Sequence, residues 1–396
     1  MVRLKSRKTK IIIIGLLLSI YVLICWTQFS SIIKFLPGNL TNRKTKKAIF
    51  IVGPGRTGTS LLGDLFNSQD DVIYLFEPLR AIHQYYGRDF FFDVDSSANN
   101  QEKFYAQEAK EFLKDIVTCN YQKKHDHYLK YLESPKMNHR RSKVLTMAPF
   151  CDAKTHKCRK IDSQLMNQLC VKNEYKIVVK ELSFRMPFGR MSSLEDLSLP
   201  EHYQILLIHS MRDPRAFLFS KYQLHWFHEQ QPNPMKRVKP FVDLSCSLIR
   251  KNMNHFLKTT HHEELHDHST IKYKVLRYED LQTNLTSLGN SLEKFLGFPS
   301  DIPKYFESKT RSRTRPKIRT TKKIFSKRFS TSPRDISTVS DKWRLMMNHD
   351  LVQTIQGSCN GVMKILGYKS VHSIQSQRNK SLLLFNGKPQ ISALIK

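Results

Sequence analysis

Acidic residues are scarce in this chain. Its 396 residues include 34 Asp and Glu against 65 Lys and Arg, so the formal net charge is +31. Glycine and proline number 14 and 16, which excludes collagen-like and low-complexity chains, and the sequence contains no internal repeat. A mean hydropathy of −0.45 excludes a protein with several membrane spans. Hydrophobic residues still make up 40% of the chain, enough to build a sizeable core.

Long hydrophobic runs are absent except near the start. Ile11–Phe29 carries no charge and, extended to Ile33, reaches the length of about 20 residues that a bilayer requires. Basic residues precede this run, which favours a cytoplasmic N-terminus. A cleaved signal peptide is the alternative, but the run is long for one and no small-residue cleavage site is visible. The sequence predicts a type II protein with a cytoplasmic tail (1–10), a transmembrane signal-anchor (11–31) and a luminal stem (32–46).

Cysteines are few, and no Cys-x-x-Cys pair suggests zinc. One of the seven, Cys25, lies in the predicted span, which leaves six in the lumen. Six cysteines permit up to three disulfides with fifteen possible pairings, among which Cys151 and Cys158 are the most local pair. Three Asn-x-Ser/Thr sequons, as expected for a luminal glycoprotein, lie at Asn39, Asn284 and Asn379.

Apolar runs alternate with helical patterns along most of the remaining chain. The runs that predict buried strands are Ala48–Val52, Val72–Phe76, Tyr175–Val179, Ile205–Ile208 and Tyr273–Leu276. Strands that alternate with helices indicate a parallel sheet covered on both faces. We therefore predict an α/β fold, with a single P-loop-like domain over residues 47–370 and a C-terminal tail over 371–396. Residues 347–366 have the pattern of a late helix.

A glycine-rich turn follows the first predicted strand. Gly53 and Gly58 fit the G-x-x-x-x-G pattern that presents backbone N–H groups to phosphate. The nucleotide-triphosphatase pattern continues with Lys, but Thr59 stands there, and the cation of the loop is Arg56. Without that Lys, and with no obvious strand-ending Asp for magnesium, triphosphate hydrolysis is disfavoured. An arginine fork instead suits the oxygens of a phosphosulfate, without a metal.

A second polar motif follows the predicted strand at Ile205–Ile208. It reads Arg212-Asp213-Pro214-Arg215-Ala216-Phe217-Leu218-Phe219-Ser220. Pro214 suits the first turn of a helix, with Asp213 at or near its N-cap. Arg212 then lies at the carboxyl end of the strand and Ser220 two helical turns later, where together they could bind an isolated phosphate.

Together these two motifs resemble those of the Golgi carbohydrate sulfotransferases that sulfate the 6-hydroxyl of galactose, N-acetylgalactosamine or N-acetylglucosamine, including the chondroitin and keratan sulfate types. That family's 5′-phosphosulfate loop, R-[ST]-G-[ST]-S, is matched by Arg56–Ser60, and its 3′-phosphate motif by Arg212–Ser220. Similar stretches also occur at Tyr74–Pro78, Arg277–Leu281, Phe329–Ser332 and Lys342–Arg344. The resemblance covers roughly residues 47–370.

The resemblance implies a sulfotransferase of the Golgi membrane. Its donor would be 3′-phosphoadenosine 5′-phosphosulfate (PAPS), used without a metal, and its acceptor an acidic or N-acetylhexosamine-containing glycan rather than a nucleic acid. The residues expected to bind the donor are Arg56, Thr57, Gly58, Thr59, Ser60, Leu61, Leu62, Arg212, Asp213, Pro214, Arg215, Ala216, Phe217, Leu218, Phe219 and Ser220. Among them Arg56 is also expected to be catalytic, because charge builds on the bridging oxygen of the leaving phosphate.

A general base is needed as well, since a sugar hydroxyl has a pKa far above neutrality. Glu77, in Phe76-Glu77-Pro78 at the end of a predicted strand, is the candidate; the alternative is a charge at a helix N-terminus or a structural salt bridge. His83 and Glu181 are reserve candidates.

Two other functions compete with the sulfotransferase: a catalytically silent luminal glycan-binding protein and a luminal glycan kinase. The basic run Lys304–Arg328 contains eleven Lys and Arg, and it is predicted either to reach an anionic acceptor or to be a solvated loop.

Overall fold

A sheet of parallel strands forms the centre of this computed structural model. The strands are β1 (Lys46–Gly53), β2 (Val72–Phe76), β3 (Lys176–Leu182), β4 (Tyr203–Met211) and β5 (Ile271–Arg277), in the spatial order β2-β3-β1-β4-β5. The structure describes residues 45–86, 100–133, 141–147, 150–152, 155, 157–171, 175–224, 234–263, 270–283, 285–299, 301, 304–305 and 336–385. The predicted α/β class and the parallel sheet are confirmed.

Helices connect and cover these strands. Their bounds are α1 (Thr59–Asn67), α2 (Leu79–Tyr85), α3 (Asn100–Thr118), α4 (Asp126–Leu129), α5 (Ser163–Val171), α6 (Pro214–Tyr222), α7 (Pro234–Glu263), α8 (Asp280–Thr283), α9 (Leu285–Leu296), α10 (Ile336–Met346), α11 (His349–Leu366) and α12 (Ile374–Arg378). Short 3₁₀ turns lie at Lys123–His125, Lys130–Glu133, Val144–Thr146, Ser183–Arg185, Pro187–Gly189 and Met191–Leu197. The predicted late helix corresponds to α11.

The sheet is buried on both faces, which explains the continuous apolar runs of its strands. Ala48–Gly53 of β1 and all of β2 are buried. Phe50 and Val52 of β1 pack into one core cluster with α3, whereas Ile49 and Ile51 pack into another with α1 and α9. Alternate residues of one strand therefore stabilise opposite layers of the domain.

Strand order decides where the loops meet. β1 lies between β3 and β4, and Val52 is in register with Glu181 on one side and His209 on the other. All strands run in the same direction, so their carboxyl ends share one edge of the sheet. From β1 the chain continues to β2 on one side of the sheet, and from β3 it crosses β1 to reach β4 on the other side. Such sheets bind ligands where the connections diverge to opposite sides, which here is the crevice beyond the carboxyl ends of β1 and β4.

Three disulfides connect the six cysteines after the predicted span. The local pair Cys151–Cys158 is bonded as predicted. Cys119–Cys170 and Cys246–Cys359 close loops with sequence separations of 51 and 113 residues. Loops of this size restrict the unfolded chain, so the two long-range bonds stabilise the fold.

Residues after 370 continue to pack against the domain. The Arg344 side chain of α10 donates hydrogen bonds to the backbone carbonyls of Gln377, Asn379 and Leu382. Val371 and Leu384 are buried.

Several predicted segments lie outside the described residues. They are the tail 1–10, the span 11–31, all but the last residues of the stem 32–46, the sequons at Asn39 and Asn284, and most of the basic run. Within the described part of the chain, no helix combines the length and the apolar character needed to cross a bilayer. The predicted span stays a prediction.

Candidate active site

The loop between β1 and α1 has the conformation of a phosphate-binding turn. Three of its residues have left-handed backbone angles: Gly55 with φ 85°, Arg56 with φ 64° and Gly58 with φ 92°. Arginine rarely adopts this region, and such strained residues concentrate at functional sites. No acidic residue occupies the first turn of α1, so its N-terminus retains the positive end of the helix dipole.

Two glycines of the loop allow close approaches that no other residue would permit. A Cβ atom on Gly53 would lie 2.5 Å from the carbonyl oxygen of Ser210 at the end of β4. A Cβ atom on Gly58 would lie 2.6 Å from Cδ2 of Tyr278. The loop is therefore pressed against the ends of β4 and β5, which holds it rigidly at the crevice.

Gly58→Ala is expected to weaken donor binding and to destabilise the protein by about 1–2 kcal/mol, because its φ is positive and its Cβ would meet the Tyr278 ring. Gly357→Ala is the matched control, since no atom lies within 4 Å of its Cβ position in α11. It should stabilise the protein by about 0.5–1 kcal/mol. Chemical denaturation and donor titration measure both effects. Unchanged donor affinity and stability in Gly58→Ala would contradict this account of the loop.

The second motif begins α6 as predicted. Asp213 is the N-cap, its carboxylate accepts a hydrogen bond from the backbone N–H of Arg215, and Pro214 occupies the first turn. The Arg215 guanidinium forms a two-point ion pair with Asp213, at 3.0 and 2.7 Å, and lies over the ring of the buried Trp343. Arg215 thus acts inside the domain, where it connects α6 to α10.

Direct contacts connect the two motifs. Nε of Arg56 donates a 3.0 Å hydrogen bond to Oγ of Ser220, although 164 positions separate them in the sequence. Nη1 of Arg212 donates to the carbonyl oxygen of Arg56 at 3.2 Å. Oγ of Ser210 donates to the carbonyl oxygen of Thr57 at 2.9 Å. The residues predicted to bind the two phosphates of the donor therefore form one site.

Two polar atoms of this site are buried without a partner among the described residues: Oγ1 of Thr57 and Nε of Arg212. Buried polar groups are nearly always hydrogen-bonded, so orphaned ones call for an explanation. The remaining guanidinium nitrogen of Arg212, Nη2, donates to the carbonyl oxygen of Val339, and the Tyr278 ring lies 4.8 Å from the guanidinium carbon. A hydroxyl and a guanidinium of this kind fit an anionic ligand.

Lys221 is a buried basic residue of the site that the motifs did not predict. It is 2% exposed and lies near the rings of Phe217 and Phe241. Burial, together with the charge of Arg56, lowers the pKa of Lys221 to about 7. In the sequence, Lys221 could have been proposed as a site residue because it is basic and directly follows Ser220.

Glu77 lies in a buried cluster of four charged side chains at the ends of β2 and β3. Its carboxylate forms ion pairs with Lys180 and, at 2.7 Å, with Nη1 of Arg185. The same Arg185 nitrogen lies 3.2 Å from Oε1 of Glu181. Glu77 also has a positive φ of 51° and donates its backbone N–H to the carbonyl oxygen of Lys180 at 2.6 Å.

Electrostatics decide the ionisation of Glu77. Burial by itself raises the pKa of its carboxyl group, but Lys180 and Arg185 outweigh burial and lower the pKa well below its ordinary value of 4.5. Glu77 is therefore ionised at neutral pH, as a general base must be. The two ion pairs also weaken its proton affinity, as expected for the structural alternative, and the assignment of Glu77 as the base stays a prediction.

The reserve candidates are buried beside this cluster. Glu181 accepts hydrogen bonds from the backbone N–H groups of Leu79 and Leu182, at 2.9 and 2.8 Å. Burial raises the pKa of Glu181. His83 packs edge-on against the rings of Tyr105 and Phe184.

Not every residue predicted to contact the donor presents its side chain to the site. Arg56 of the loop and Ser60 of α1 are half-buried, whereas Thr57 and Thr59 are buried. The side chains that pack instead into the hydrophobic core are those of Leu62, Ala216, Phe217, Leu218 and Phe219. Any contact of these five residues with a donor would come from their backbone.

Lys180 and Arg185 were missed in the sequence. Lys180 and Glu181 interrupt an otherwise apolar strand, and two adjacent charges in a buried run indicate pairing with other buried groups. Arg185 carried no such signal.

Among the described residues, no group of three or more His, Cys, Asp and Glu could hold a metal ion. Catalysis without a metal stays a prediction.

The fold is that of an α/β protein, and its candidate anion-binding site lies at the carboxyl end of the sheet. The sequence model of the sulfotransferase domain family matches residues 46–367. The chain belongs to this family, and it is a sulfotransferase.

Two similar proteins are carbohydrate sulfotransferases. The chain is 24% identical to carbohydrate sulfotransferase 1 of Rattus norvegicus over 380 residues, or 87% of this chain and 84% of that protein. It is 25% identical to carbohydrate sulfotransferase 4 of Mus musculus over 361 residues, or 85% and 86% of the two chains. The resemblance to carbohydrate sulfotransferases is thereby confirmed.

A solved sulfotransferase domain, from the olefin synthase of Synechococcus, covers 80% of this chain and 96% of its own length. Its sequence identity to this chain is 16%, and the TM-score is 0.36.

Proposed function

We propose that this protein transfers the sulfuryl group of PAPS to the 6-hydroxyl of a galactose, N-acetylgalactosamine or N-acetylglucosamine residue in a glycan. The hydrogen bond between Arg56 and Ser220 carries the proposal, because it joins the two donor motifs into one site at the carboxyl edge of the sheet. Membership of the sulfotransferase family and the similarity to carbohydrate sulfotransferases support it.

The donor would occupy the crevice between the loop and α6. Arg56, Thr59 and Ser60 would hold the 5′-phosphosulfate, and the 3′-phosphate would lie against Arg212 and Ser220. In the transition state, negative charge develops on the oxygen that bridges sulfur and phosphorus. A guanidinium and backbone N–H groups already oriented at that oxygen stabilise this state more than the ground state.

The acceptor would approach from the side of β2. Its hydroxyl oxygen attacks sulfur in line with the leaving phosphate, and its proton passes to Glu77, which the ion pairs with Lys180 and Arg185 keep ionised. PAPS becomes adenosine 3′,5′-bisphosphate, and the sugar gains a sulfate ester.

Incubation of the full-length protein in detergent with PAPS and a panel of glycans tests the proposal. Mass spectrometry should detect a glycan that has gained one sulfate group, and fragmentation should locate the sulfate at the 6-position. ATP with magnesium in place of PAPS should give no phosphorylated glycan. Absence of transfer to every glycan by folded protein would overturn the proposed function.

Arg212→Ala and Ser220→Ala are expected to weaken PAPS binding by roughly 1–3 kcal/mol each, the range for a lost hydrogen bond to a charged group. A donor analogue without the 3′-phosphate should bind both variants about as well as it binds the wild type. Calorimetric titration measures both affinities. If both ligands lose affinity equally, these residues do not recognise the 3′-phosphate.

The proposal includes a location, which the sequence supports. The apolar run 11–31 and the basic residues before it favour a type II protein of the Golgi membrane, with its catalytic domain in the lumen. PAPS, the glycan acceptor and the membrane are its expected partners.

A further inference from the structure

The helix that follows Glu77 has one buried and one accessible side. Leu79, Ile82 and His83 of α2 face the core. The opposite side carries Arg80, which is half-buried, and Tyr85, which is 70% exposed. Because α2 begins two residues after Glu77, its accessible side starts beside the carboxylate proposed as the base.

On the accessible side of α2, Arg80 lies at the end that is nearer to Glu77. Its guanidinium carbon is 5.8 Å from the centre of the Tyr131 ring. Burial raises the pKa of Tyr131, the charge of Arg80 lowers it, and the charge of Glu77 raises it. Tyr131 therefore lies within electrostatic reach of both Arg80 and Glu77.

The charge of Arg80 is not neutralised within the described residues. None of their carboxylates forms an ion pair with Arg80, and its Nε atom has no hydrogen-bond partner among them. By contrast, the buried Arg185, Arg215 and Arg277 each form an ion pair. A half-buried guanidinium without such a partner is suited to an anion from outside the chain, in particular a carboxylate or sulfate.

Tyr85 lies at the other end, about 7.5 Å further along α2 at 1.5 Å per residue. Other rings hold it in place: Tyr86 at 5.3 Å, His127 at 5.9 Å and Tyr128 at 6.4 Å between ring centres, all edge-on. A large ring that is both exposed and fixed offers an apolar face at little further loss of conformational freedom on binding. Pyranose rings have apolar C–H faces that pack on such a surface.

We infer that Arg80, Tyr85, His127 and Tyr131, here called the acceptor strip, bind the part of the glycan that adjoins the sulfated sugar. The inference rests on the proposed function and specifies its substrate class. One sugar packs its C–H face on Tyr85, and a carboxylate or sulfate of the same chain binds the Arg80 guanidinium. The strip therefore favours an anionic glycan, such as one that alternates uronic acid with N-acetylhexosamine.

Kinetics with two acceptors of equal length test the strip. One acceptor alternates uronic acid and N-acetylhexosamine, and the other alternates galactose and N-acetylhexosamine and is neutral. Arg80→Ala should raise the KM of the anionic acceptor by roughly ten- to a hundredfold and that of the neutral acceptor little. Tyr85→Ala should raise both KM values by roughly three- to tenfold, because stacking does not depend on charge. Donor KM and kcat should stay unchanged, since these contacts are the same in ground and transition states.

Control variants separate binding from folding. Tyr85→Phe keeps the ring and should behave as the wild type does. Leu383→Ala removes another exposed apolar side chain, which is 61% exposed in the segment that packs on α10, and should not alter either KM. Unchanged acceptor KM values in both Arg80→Ala and Tyr85→Ala would overturn the acceptor strip while leaving the sulfotransferase function intact.

Direct binding tests the strip even if no glycan is sulfated. Calorimetric titration of the full-length protein with the anionic oligosaccharide should give a dissociation constant that Arg80→Ala and Tyr85→Ala each raise by the factors stated for KM. If transfer is absent but these variants weaken binding, the proposed function fails and the strip stands as a glycan-binding surface. If the oligosaccharide binds wild type and variants equally, or binds none of them, the strip is wrong.

Discussion

Replacing Arg56 by alanine should lower kcat/KM for sulfuryl transfer by about a hundred- to a thousandfold, the loss that follows removal of one oriented donor from a site of developing charge. Nε of Arg56 contacts Ser220, which holds the guanidinium in the crevice where the donor is proposed to lie. Initial rates at varied PAPS and saturating acceptor, with melting temperatures of both proteins, measure the effect. Comparable rates at matched stability would refute the role of Arg56.

The backbone conformation of Arg56 makes Arg56→Gly an informative second variant. Its φ of 64° is unfavourable for arginine and alanine alike, so Arg56→Ala keeps the backbone strain of the wild type. Arg56→Gly relieves that strain and should lose as much activity as Arg56→Ala. Arg56→Lys keeps the charge without the planar fork and should retain part of the activity. A normal rate in Arg56→Gly would show that the guanidinium is not needed.

Glu77→Gln is expected to lower kcat by about a hundred- to ten-thousandfold, the usual contribution of a general base, with PAPS affinity unchanged. Arg185→Leu is the control, because it disrupts the same ion-pair cluster but keeps the carboxylate. Leaving a buried charge without its partner should destabilise that control by about 3–5 kcal/mol, while its kcat at a temperature where it is folded should fall much less. Parallel losses of kcat in the two variants would assign Glu77 a structural role.

The pH dependence of stability gives an independent check on the cluster. The pKa of Glu77 in the folded protein lies below its ordinary value of 4.5. Its contribution to stability is therefore fully present above that value and is lost as the pH falls toward the folded-state pKa. Glu77→Gln should accordingly lose less stability than the wild type between neutral and acidic pH, as measured by denaturation midpoints.

Local signals in the sequence were sufficient for the framework of the fold. The strands stood out because a parallel sheet covered on both faces needs unbroken apolar runs, and β2 has the predicted bounds Val72–Phe76. The start of α6 was predictable because an N-cap Asp followed by Pro satisfies the first turn from within the segment. The loop was recognisable from its glycines and Arg56.

Contacts between distant segments could not be predicted from local patterns. Six cysteines allow fifteen pairings, and only the packing of α7 against α11 selects Cys246–Cys359. Helix α3 was hidden in a charged stretch because most of its stabilisation comes from burying one side against the sheet. The acceptor strip joins residues of α2 to residues more than forty positions later, and no spacing in the sequence indicates that proximity.

By itself, the sequence determined the class of fold, the two donor motifs and the family, because each depends on short patterns of apolar, glycine and charged residues. The tertiary structure alone decided that Arg56 meets Ser220, that Arg215 acts inside the domain, and that Glu77 lies between Lys180 and Arg185. These outcomes depend on the order of the strands, which brings the ends of separate segments to one edge of the sheet. The charge of each group then depends on burial and on neighbours that only folding supplies.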